Sequence, residues 1–567
     1  MMTTEALGRR IDRALGREPA DLVLKGGRFL DVATGRVLDG DVAVSDGVIV
    51  STGHPAEGAE VLDARGAVVV PGFIDAHVHV ESSLLTPDGF EALVLPHGTT
   101  TAVADPHEIA NVLGRAGLEY FLESARVLTL DLYIMLSSCV PATPLDTGGA
   151  RLTAEDLAAF ADHPRVLGLA EMMNVPGLLD GDPEARAKVA AFNGRHVDGH
   201  APLVTGRRLD AYAAAGVATC HESTTYREGL EKLTKGLAVF MRQGSVSRDV
   251  TALAPLLTHL AAGRMAFCTD DRNPLDIGNE GHIDHAIRAA LAAGASVPAV
   301  YRAAGLSAAR AFGLRDRGMV APGWKADLVL LDDPKTCAVR QVVKDGRVVP
   351  ANGGLPDAPV PPPPGRGSVH RAPVAPDAFR PAPAPAHGPV IGLRPGSLVT
   401  DYLVRDRPLV DGRPRADPGD DLQKIAVLCR HGPESTGIGF VSGFGLRAGA
   451  LAATVGHDSH NIGVVGVDDT SMATAVNRLI AMQGGYAVAS GDTVLADLPL
   501  PVAGLMTDQP APAVRRALRH VREAAGELGC PLDDPLLQLA FLQLPVIPHL
   551  KITDRGLVDV DAFRLVE

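Results

Sequence analysis

Short apolar runs alternate with amphipathic stretches throughout residues 68–318. The apolar runs have the length and composition of buried strands, and the stretches between them repeat their apolar positions with a helical period. The pattern predicts strands at 68–78, 98–104, 131–138, 166–171, 201–205, 217–220 and 265–269. It predicts helices at 5–18, 107–126, 153–161, 183–194, 227–243, 248–262 and 282–293. Such alternation over about 250 residues indicates an α/β barrel, in which active-site residues lie at the C-terminal ends of the strands.

Strand-type patterns also flank this region on both sides. Residues 20–30 (ADLVLKGGRFL) predict a strand, a Gly-Gly turn and a second strand. Residues 326–331 (ADLVLL) and 342–348 (VVKDGRV) repeat this pattern weakly. If the two flanks share one sheet, the fold is an α/β (β/α)8 TIM-like barrel inserted in a small β-sandwich composite domain, formed by residues 1–67 and 319–352. The alternative is a coincidence between common strand sequences.

The pattern changes again after the second flank. Residues 356–389 are rich in proline and alanine, so we predict an extended linker with no core of its own, over 353–392. Residues 393–567 return to mixed strand and helix patterns, with helices predicted at 471–483 and 511–528. We therefore expect the barrel of residues 68–318 and the composite domain to be followed by a C-terminal α+β domain.

Composition narrows the possible classes of function. The net charge is −14 and no run of Lys or Arg occurs, which argues against a nucleic-acid partner. No uninterrupted apolar stretch reaches the roughly 18 residues of a membrane helix, and the N-terminus lacks the apolar core of a secretory signal. The 6 cysteines are scattered without a Cys-x-x-Cys pair, as is usual for free thiols in a reducing compartment. We therefore expect a cytoplasmic protein that binds neither nucleic acid nor membrane.

Several potential metal ligands lie at or near the ends of the predicted strands. They are His77, His79, Glu171, His200, His221 and Asp270. Side chains two apart on a strand face the same side, so His77 and His79 point together. His200 is the exception, because it precedes the predicted strand 201–205. A mixture of imidazole and carboxylate suits Mn, Fe or Zn, and a carboxylate can bridge two such ions about 3.5–4 Å apart.

Each of these residues also has an ordinary structural explanation when it is considered alone. Glu171 could sit at the start of a helix, and His200 could be a loop histidine. Asp270, beside Asp271, could cap a helix before Asn273. Their order along the chain, each near a strand end, favours the metal site.

The motifs around these residues closely resemble those of the adenine deaminases of the amidohydrolase superfamily. In the barrel region they are PGFIDAHVH (71–79), ESS (81–83), PHGTT (96–100), ADPHEIAN (104–111), GLAEMMN (168–174), DGHAP (198–202), HE (221–222) and CTDDR (268–272). In the C-terminal region they are GHDSHN (456–461) and LPLPVAGLM (498–506). The resemblance covers nearly the whole chain except the Pro-rich segment.

This resemblance implies a binuclear centre of Mn²⁺ or Fe²⁺, with Zn²⁺ also compatible, held by the six residues above. It implies that Glu171 bridges the ions, a position that a carboxylated lysine takes in many relatives. The implied reaction is hydrolysis of adenine to hypoxanthine and ammonia, in which a metal-bound hydroxide attacks C6 and Asp270 assists proton transfer. A homo-oligomer is the usual expectation for such enzymes.

The resemblance also suggests further residues for substrate contact or proton relay. They are Glu81, Asp105, His107, Glu108 and Asp271, with Glu81 and His107 favoured as catalytic groups beside Glu171 and Asp270. The alternative for all of them is hydrogen bonding behind the site or helix capping. The segment 456–461 either faces the barrel mouth or is a Gly-rich structural loop.

Other readings of the sequence compete with this one. Residues 79–81 match the first half of a different zinc deaminase signature, but the chain has no Pro-Cys-x-x-Cys, which excludes that fold. Cys220 stands where the resemblance predicts a carboxylate, and we interpret it as a core thiol. The remaining alternatives are an amidohydrolase acting on another aminopurine or a cyclic amide, and a non-catalytic metal-binding relative.

Overall fold

The computed structural model describes residues 3–353 and 360–566. The chain begins with helix α1 (Thr4–Ala14), which ends earlier than the predicted 5–18. Seven strands follow it. They are β1 (Ala20–Lys25), β2 (Arg28–Asp31), β3 (Arg36–Asp39), β4 (Val42–Ser45), β5 (Val48–Thr52), β6 (Gly58–Asp63) and β7 (Val68–Pro71).

Eight parallel strands make up the central region. They are β8 (Phe73–Val78), β9 (Thr99–Ala104), β10 (Asp131–Leu136), β11 (Val166–Met172), β12 (His196–Gly199), β13 (Thr219–Cys220), β14 (Ala238–Arg242) and β15 (Met265–Cys268). They form a sheet in the order β12-β11-β10-β9-β8 and a second in the order β13-β14-β15. Backbone hydrogen bonds join the two sheets at both seams, from Asp270 N to His77 O (3.0 Å) and from Ala218 N to Val197 O (2.9 Å). This arrangement confirms the predicted α/β class and is that of a TIM-like barrel.

Helices connect these strands and cover the barrel. They are α2 (Pro87–Val94), α3 (His107–Leu113), α4 (Arg115–Val127), α5 (Ala154–Ala158), α6 (Val175–Asp180), α7 (Pro183–Ala191), α8 (Gly206–Ala214), α9 (Tyr226–Thr234), α10 (Val250–Leu253), α11 (Pro274–Glu280), α12 (Ile283–Ala292), α13 (Val297–Arg302) and α14 (Ala308–Ala311). Buried strands alternating with amphipathic helices explain the apolar pattern of the sequence.

Three of the predicted elements are wrong. In place of the predicted helix 248–262 the chain forms only the single turn α10 (Val250–Leu253) and two short 3₁₀ turns. Residues 201–205 are not a strand, because Pro202 has no N–H to donate and Leu203 adopts a φ of +59°. The strand lies instead at β12, directly before His200. The predicted helix 227–243 ends at Thr234, and after Gly236 (φ +89°) the chain forms β14. All five residues of β14 are buried, and a strand buried on both faces lacks the alternation that would distinguish it from a helix.

After the barrel, strands β16 (Leu328–Leu331), β17 (Val339–Lys344) and β18 (Arg347–Val348) return to the N-terminal region. They join a six-stranded sheet in the order β18-β17-β16-β7-β2-β3, where β16 runs antiparallel to β7. A four-stranded sheet has the order β5-β4-β1-β6. The two segments with similar sequences therefore share the six-stranded sheet through β2, β16 and β17, whereas β1 lies in the four-stranded sheet.

The C-terminal region is built on an eight-stranded sheet. Its elements are β19 (His387–Gly392), β20 (Asp401–Asp406), β21 (Leu409–Val410), β22 (Arg413–Pro414), β23 (Gln423–Leu428), β24 (Thr436–Ser442), β25 (Ala450–Ala453), β26 (Ile462–Gly466), α15 (Asp469–Met482), β27 (Gly485–Ser490), β28 (Thr493–Pro499), α16 (Ala511–Glu527), α17 (Pro535–Phe541), β29 (Leu550–Thr553), β30 (Gly556–Asp559) and β31 (Arg564–Leu565). The main sheet has the order β20-β19-β24-β23-β26-β25-β27-β28. Helices α15 and α16 correspond to the two predicted helices.

The Pro-rich segment differs from the extended linker that its composition predicts. Residues 354–359 of that prediction lie outside the described residues. Farther along, Phe379 is fully buried against the core that α15 and its sheet form. Residues 387–392 are β19, paired with β20 and β24. A few apolar residues therefore dock this segment on the C-terminal region, although prolines dominate its sequence.

A buried charge cluster ties the barrel to the segment that follows it. Asp131, at the start of β10, accepts hydrogen bonds from Arg317 (2.7 Å), Lys325 (2.7 Å) and Lys344 (2.9 Å). Arg165 adds a fourth contact at 2.8 Å. Burial raises the pKa of Asp131, but Lys344 and Arg317 outweigh it and hold this pKa well below its usual range. The Asp131 carboxylate is thus the shared partner of four cations.

We predict that Asp131→Asn lowers the free energy of unfolding by about 3–5 kcal/mol at pH 7, because four cations lose the buried carboxylate that they share and Lys344 keeps only Asp327 and Asp345. Urea unfolding measures this loss. Because the folded-state pKa is lowered, the stabilisation is present above the unfolded value of about 3.9 and is lost as the pH falls below it. The control is Asp316→Asn at the exposed end of Arg317, for which a change under about 1 kcal/mol is expected. Equal effects of the two variants would contradict the role of Asp131.

Candidate metal centre

Polar side chains gather at the C-terminal ends of the barrel strands. They are His77 and His79 at β8, Asp105 after β9, Glu171 in β11, His200 after β12, His221 after β13, Arg242 in β14 and Asp270 after β15. All are buried. The structure therefore brings together all six residues predicted as ligands, and it places His200 at a strand end like the others.

Glu171 lies between two groups of histidines. Its Oε1 is 3.3 Å from His79 Nε2 and 3.7 Å from His77 Nε2. Its Oε2 is 2.6 Å from His200 Nδ1 and 3.3 Å from His221 Nε2. One carboxylate thus presents one oxygen to each pair, which is the geometry a bridging ligand requires.

Asp270 completes the group on the Oε1 side. Its Oδ1 is 3.2 Å from His79 Nε2 and 3.8 Å from His77 Nε2. Its Oδ2 is 3.3 Å from Arg242 Nη1. The backbone of Asp270 has a φ of +57°, an uncommon conformation for a residue other than glycine, and such strain is typical of functional sites.

The donor set fits divalent metal ions. Ligands bonded to one ion at about 2.1 Å lie about 3.0–3.5 Å apart, close to the separations around Glu171 and Asp270. Glu171 Oε1 is buried without a hydrogen-bond partner. Burial raises the pKa of Glu171, but hydrogen bonds with His107 and His200 outweigh it and hold this pKa well below the usual value. An ionised carboxylate among imidazoles is what a metal site of this type needs.

A second layer of groups orients the histidines. Asp198 Oδ2 is 3.2 Å from His77 Nδ1, and the backbone O of Asp105 is 3.0 Å from His79 Nδ1. Each contact occupies Nδ1 and leaves Nε2 directed toward Glu171, as is usual behind metal-binding histidines. Burial lowers the pKa of His77, but Asp198 and Glu171 raise it to about 9. Sequence reasoning missed Asp198 and Arg242, although Asp198 stands two residues before His200.

The candidates for substrate contact line one side of this centre. His107 Nδ1 is 3.3 Å from Glu171 Oε1 and 3.2 Å from Asp105 Oδ2. Glu81 Oε1 accepts a hydrogen bond from Ile109 N (3.1 Å), and Glu108 Oε1 accepts one from Ser82 Oγ (3.1 Å). The second oxygens of Glu81 and Glu108 have no partner.

Asp271 also belongs to this side and lies next to the C-terminal region. It accepts a hydrogen bond from Ser82 Oγ, and its Oδ1 is 3.7 Å from His457 Nε2. Asp458 Oδ1 is 3.6 Å from His107 Nε2. The segment 456–461 thus faces the barrel mouth, where the sequence left a structural loop as the alternative. The motif GHDSHN identified this segment as a candidate, but the sequence alone did not show where the segment lies relative to the barrel.

Cys220 is fully buried in the barrel core, as a core thiol would be. Burial raises the pKa of its thiol. The carboxylate beside His221 is Glu222 on the other side, which pairs with Arg242 and places Oε1 3.8 Å from His221 Nε2.

Comparisons with known proteins agree with this geometry. The sequence model "Amidohydrolase family" matches residues 68–349, and "Adenine deaminase C-terminal domain" matches residues 397–564. An adenine deaminase of Methylobacterium nodulans is 56% identical over 99% of both chains. One of Brucella suis is 52% identical over 98% of this chain and 96% of the relative. The chain belongs to the adenine deaminase family.

Solved structures with partial similarity include an N-acetyl-D-glucosamine-6-phosphate deacetylase from Mycobacterium smegmatis and an adenosine deaminase from Xanthomonas campestris with bound zinc. The first is 21% identical with a TM-score of 0.44 and covers 58% of this chain and 99% of its own. The second is 17% identical with a TM-score of 0.41 and covers 59% and 93%. The assignment to the adenine deaminase family rests on the sequence relatives.

No helix in the described residues combines the length and the apolar character needed to cross a membrane.

We predict that Asp198→Asn weakens metal binding by about 10–100-fold, because His77 loses the carboxylate that fixes its orientation. Competition with a chromophoric chelator measures the affinity. The matched control is Asp180→Asn on the exposed end of α6, for which no change is expected. An unchanged affinity in Asp198→Asn would contradict the proposed role of this residue.

Proposed function

We propose that this chain is an adenine deaminase, which hydrolyses the 6-amino group of adenine to give hypoxanthine and ammonia. Relatives of this name, 52–57% identical over nearly the full length, support the proposal. The main structural support for this function is the position of Glu171 between the two histidine pairs. The hydrolytic chemistry of the family requires such a centre to activate water.

We propose His77, His79, Glu171 and Asp270 as the ligands of one ion, and Glu171, His200 and His221 as the ligands of a second. The mixture of nitrogen and oxygen donors favours Mn²⁺ or Fe²⁺, and Zn²⁺ is also compatible. When bound, two such ions supply a nucleophile at neutral pH by lowering the pKa of water.

The residues of the chain then position and protonate the substrate. Asp270 Oδ1 faces the ligand group, whereas its Oδ2 is fixed by Arg242. This places an ionised oxygen of Asp270 where it can take a proton from the attacking water and return it to the leaving amine. Adenine is a small planar base with ring nitrogens that accept hydrogen bonds and N–H groups that donate them.

The partner-free oxygens of Glu81 and Glu108 are suited to hold the N–H groups of adenine. Buried carboxylates without partners are costly, and a ligand that supplies hydrogen bonds removes this cost. Asp105 and Asp271 belong to the same side of the site, and His107 lies between them and Glu171. We assign these three to positioning rather than to direct attack.

The domain organisation also belongs to this proposal. We infer that residues 68–318 form the catalytic barrel, that 1–67 and 319–352 form a composite β-domain around it, and that 393–567 form a C-terminal domain that covers the barrel mouth. The six-stranded sheet supports the second inference, because it combines β2 and β3 with β16, β17 and β18, and its strand β7 (Val68–Pro71) is the boundary with the barrel. Cytoplasmic location and a homo-oligomeric state stay predictions.

We predict that the Mn²⁺-loaded protein releases ammonia from adenine and that Glu171→Gln reduces this rate by about 10³-fold or more, because the bridging ligand is lost. A coupled ammonia assay measures the rate. A panel with guanine, cytosine and dihydroorotate distinguishes the alternatives. The control is Glu155→Gln on the exposed face of α5, which should retain full activity. Faster turnover of a panel compound than of adenine would overturn the substrate assignment.

A further inference from the structure

A second polar cluster lies beside the Glu171 centre, where the barrel meets the C-terminal region. We call it the seam cluster and define it as His107, Glu108, Asp271, His457 and Asp458. All five side chains are buried. His107, Glu108 and Asp271 come from the barrel, whereas the other two lie in the segment 456–461, between β25 and β26.

Buried carboxyl groups outnumber the imidazoles around the seam cluster. The buried carboxylates are those of Glu81, Asp105, Glu108, Asp271 and Asp458. Within the described chain no lysine or arginine pairs with any of them. Asp105, Asp271 and Asp458 pair with His107 or His457, and Glu81 and Glu108 have no ion-pair partner among the described residues. Buried charges require partners, because the desolvation of each ion costs roughly several kcal/mol. Burial raises the pKa of Glu81 to about 8 and also raises the pKa of Glu108, so the carboxylates that remain are those of Asp105, Asp271 and Asp458, which face two imidazoles.

The two distances from the imidazoles to Asp458 are at or beyond the limit of a hydrogen bond and close to the separation of ligands that share a cation. His107 Nδ1 lies 3.2 Å from Asp105 Oδ2, an arrangement in which Nδ1–H donates and Nε2 keeps a free lone pair. That Nε2 faces Asp458 Oδ1 at 3.6 Å. His457 Nδ1 is 3.5 Å from the same oxygen. Two ligands of one ion at about 2.1 Å are separated by about 3.0–3.5 Å.

Buried polar atoms without hydrogen-bond partners support a cation site in the seam cluster. His107 Nε2, His457 Nε2 and Asp458 Oδ2 are all buried without a hydrogen-bond partner. Ligand atoms of His107, His457 and Asp458 lie within 4.8 Å of one another, and the same holds for His79, His107 and Glu108. Unsatisfied donors and acceptors are rare in protein interiors, so three in one cluster indicate a missing ligand.

We propose that His107, His457 and Asp458 bind a third divalent cation, separate from the pair of ions at Glu171. Imidazole and carboxylate ligands suit Mn²⁺, Fe²⁺ or Zn²⁺. This ion joins α3 of the barrel to the C-terminal region and so fixes the segment 456–461 over the barrel mouth. The site does not depend on which substrate the protein uses.

The experiment counts the ions bound by the full-length protein. Apo-protein is reconstituted with excess Mn²⁺, desalted and analysed by inductively coupled plasma mass spectrometry together with a protein assay. We expect three Mn²⁺ per chain for the wild type, because two bind at Glu171 and one in the seam cluster. A wild-type value that saturates at two would overturn the proposal.

Two variants locate the third ion. Asp458→Asn keeps the shape of the side chain, and His457→Phe keeps the stacking on Phe541, whose ring is 4.9 Å away and nearly parallel. Each should bind two Mn²⁺ per chain, and thermal unfolding with and without Mn²⁺ checks that both are folded. Three ions in either folded variant would contradict this assignment.

Asp146→Asn is the matched control. Asp146 is also buried at the boundary between the two regions, where it accepts a hydrogen bond from Ser459, but it is not part of the seam cluster. It should keep three ions. Loss of one ion in this control would show that the count reports general loosening of the segment, and the proposal would then fail.

Discussion

The site depends on the carboxylate of Glu171, whose two oxygens face two different pairs of imidazoles. This arrangement is possible because β11 lies between β10 and β12 in a parallel sheet, so its C-terminal end is directed into the ring of strand ends. The neighbouring strands supply His200 and, across the barrel, His77, His79 and Asp270. A shift of any of these strands by one residue would turn its ligand away from Glu171. Closure of the barrel and assembly of the centre are therefore the same structural event.

The C-terminal region contributes to the site as well as to the fold. Contacts between the barrel loop after β10 and the C-terminal region hold the segment 456–461 in place, including hydrogen bonds from Thr147 N to Asp554 Oδ1 (3.0 Å) and from Asn461 Nδ2 to Thr147 O (2.9 Å). Because of them, His457 and Asp458 meet His107 in the interior. Each of the two regions supplies polar groups that the other region buries, as the contacts of His107 with Asp458 and of His457 with Asp271 show.

Much of this arrangement could be predicted from the sequence. His77 and His79 could be recognised because a two-residue spacing on an apolar strand fixes both side chains on one face. Glu171, His221 and Asp270 each follow a short apolar run. The strand before His200 was not predicted, because residues 201–205 are more apolar and the strand was assigned to them. Pro202 and the positive φ of Leu203 prevent a strand there.

The remaining features depend on contacts between residues far apart in the chain. The strand at 238–242 is buried on both faces and therefore has no alternating pattern. Asp198 and Arg242 contact His77 and Asp270, which only the folded barrel brings near them. His457 comes from the C-terminal region, far along the chain from the barrel residue Asp271 that it contacts. Phe379 shows the same limit in the Pro-rich segment, where composition predicts an extended chain but a few buried apolar residues dock the segment on the C-terminal region. Local patterns specify strands and ligand types, whereas the pairing of ligands is a property of the closed fold.

The central claim is that Glu171 bridges two metal ions, and the most direct test is an anomalous difference map from crystals of the protein grown with Mn²⁺. The account predicts two peaks that flank Glu171, one beside Oε1, His77, His79 and Asp270, and the other beside Oε2, His200 and His221. A single peak, or two peaks of which neither lies within bonding distance of Glu171, would contradict it.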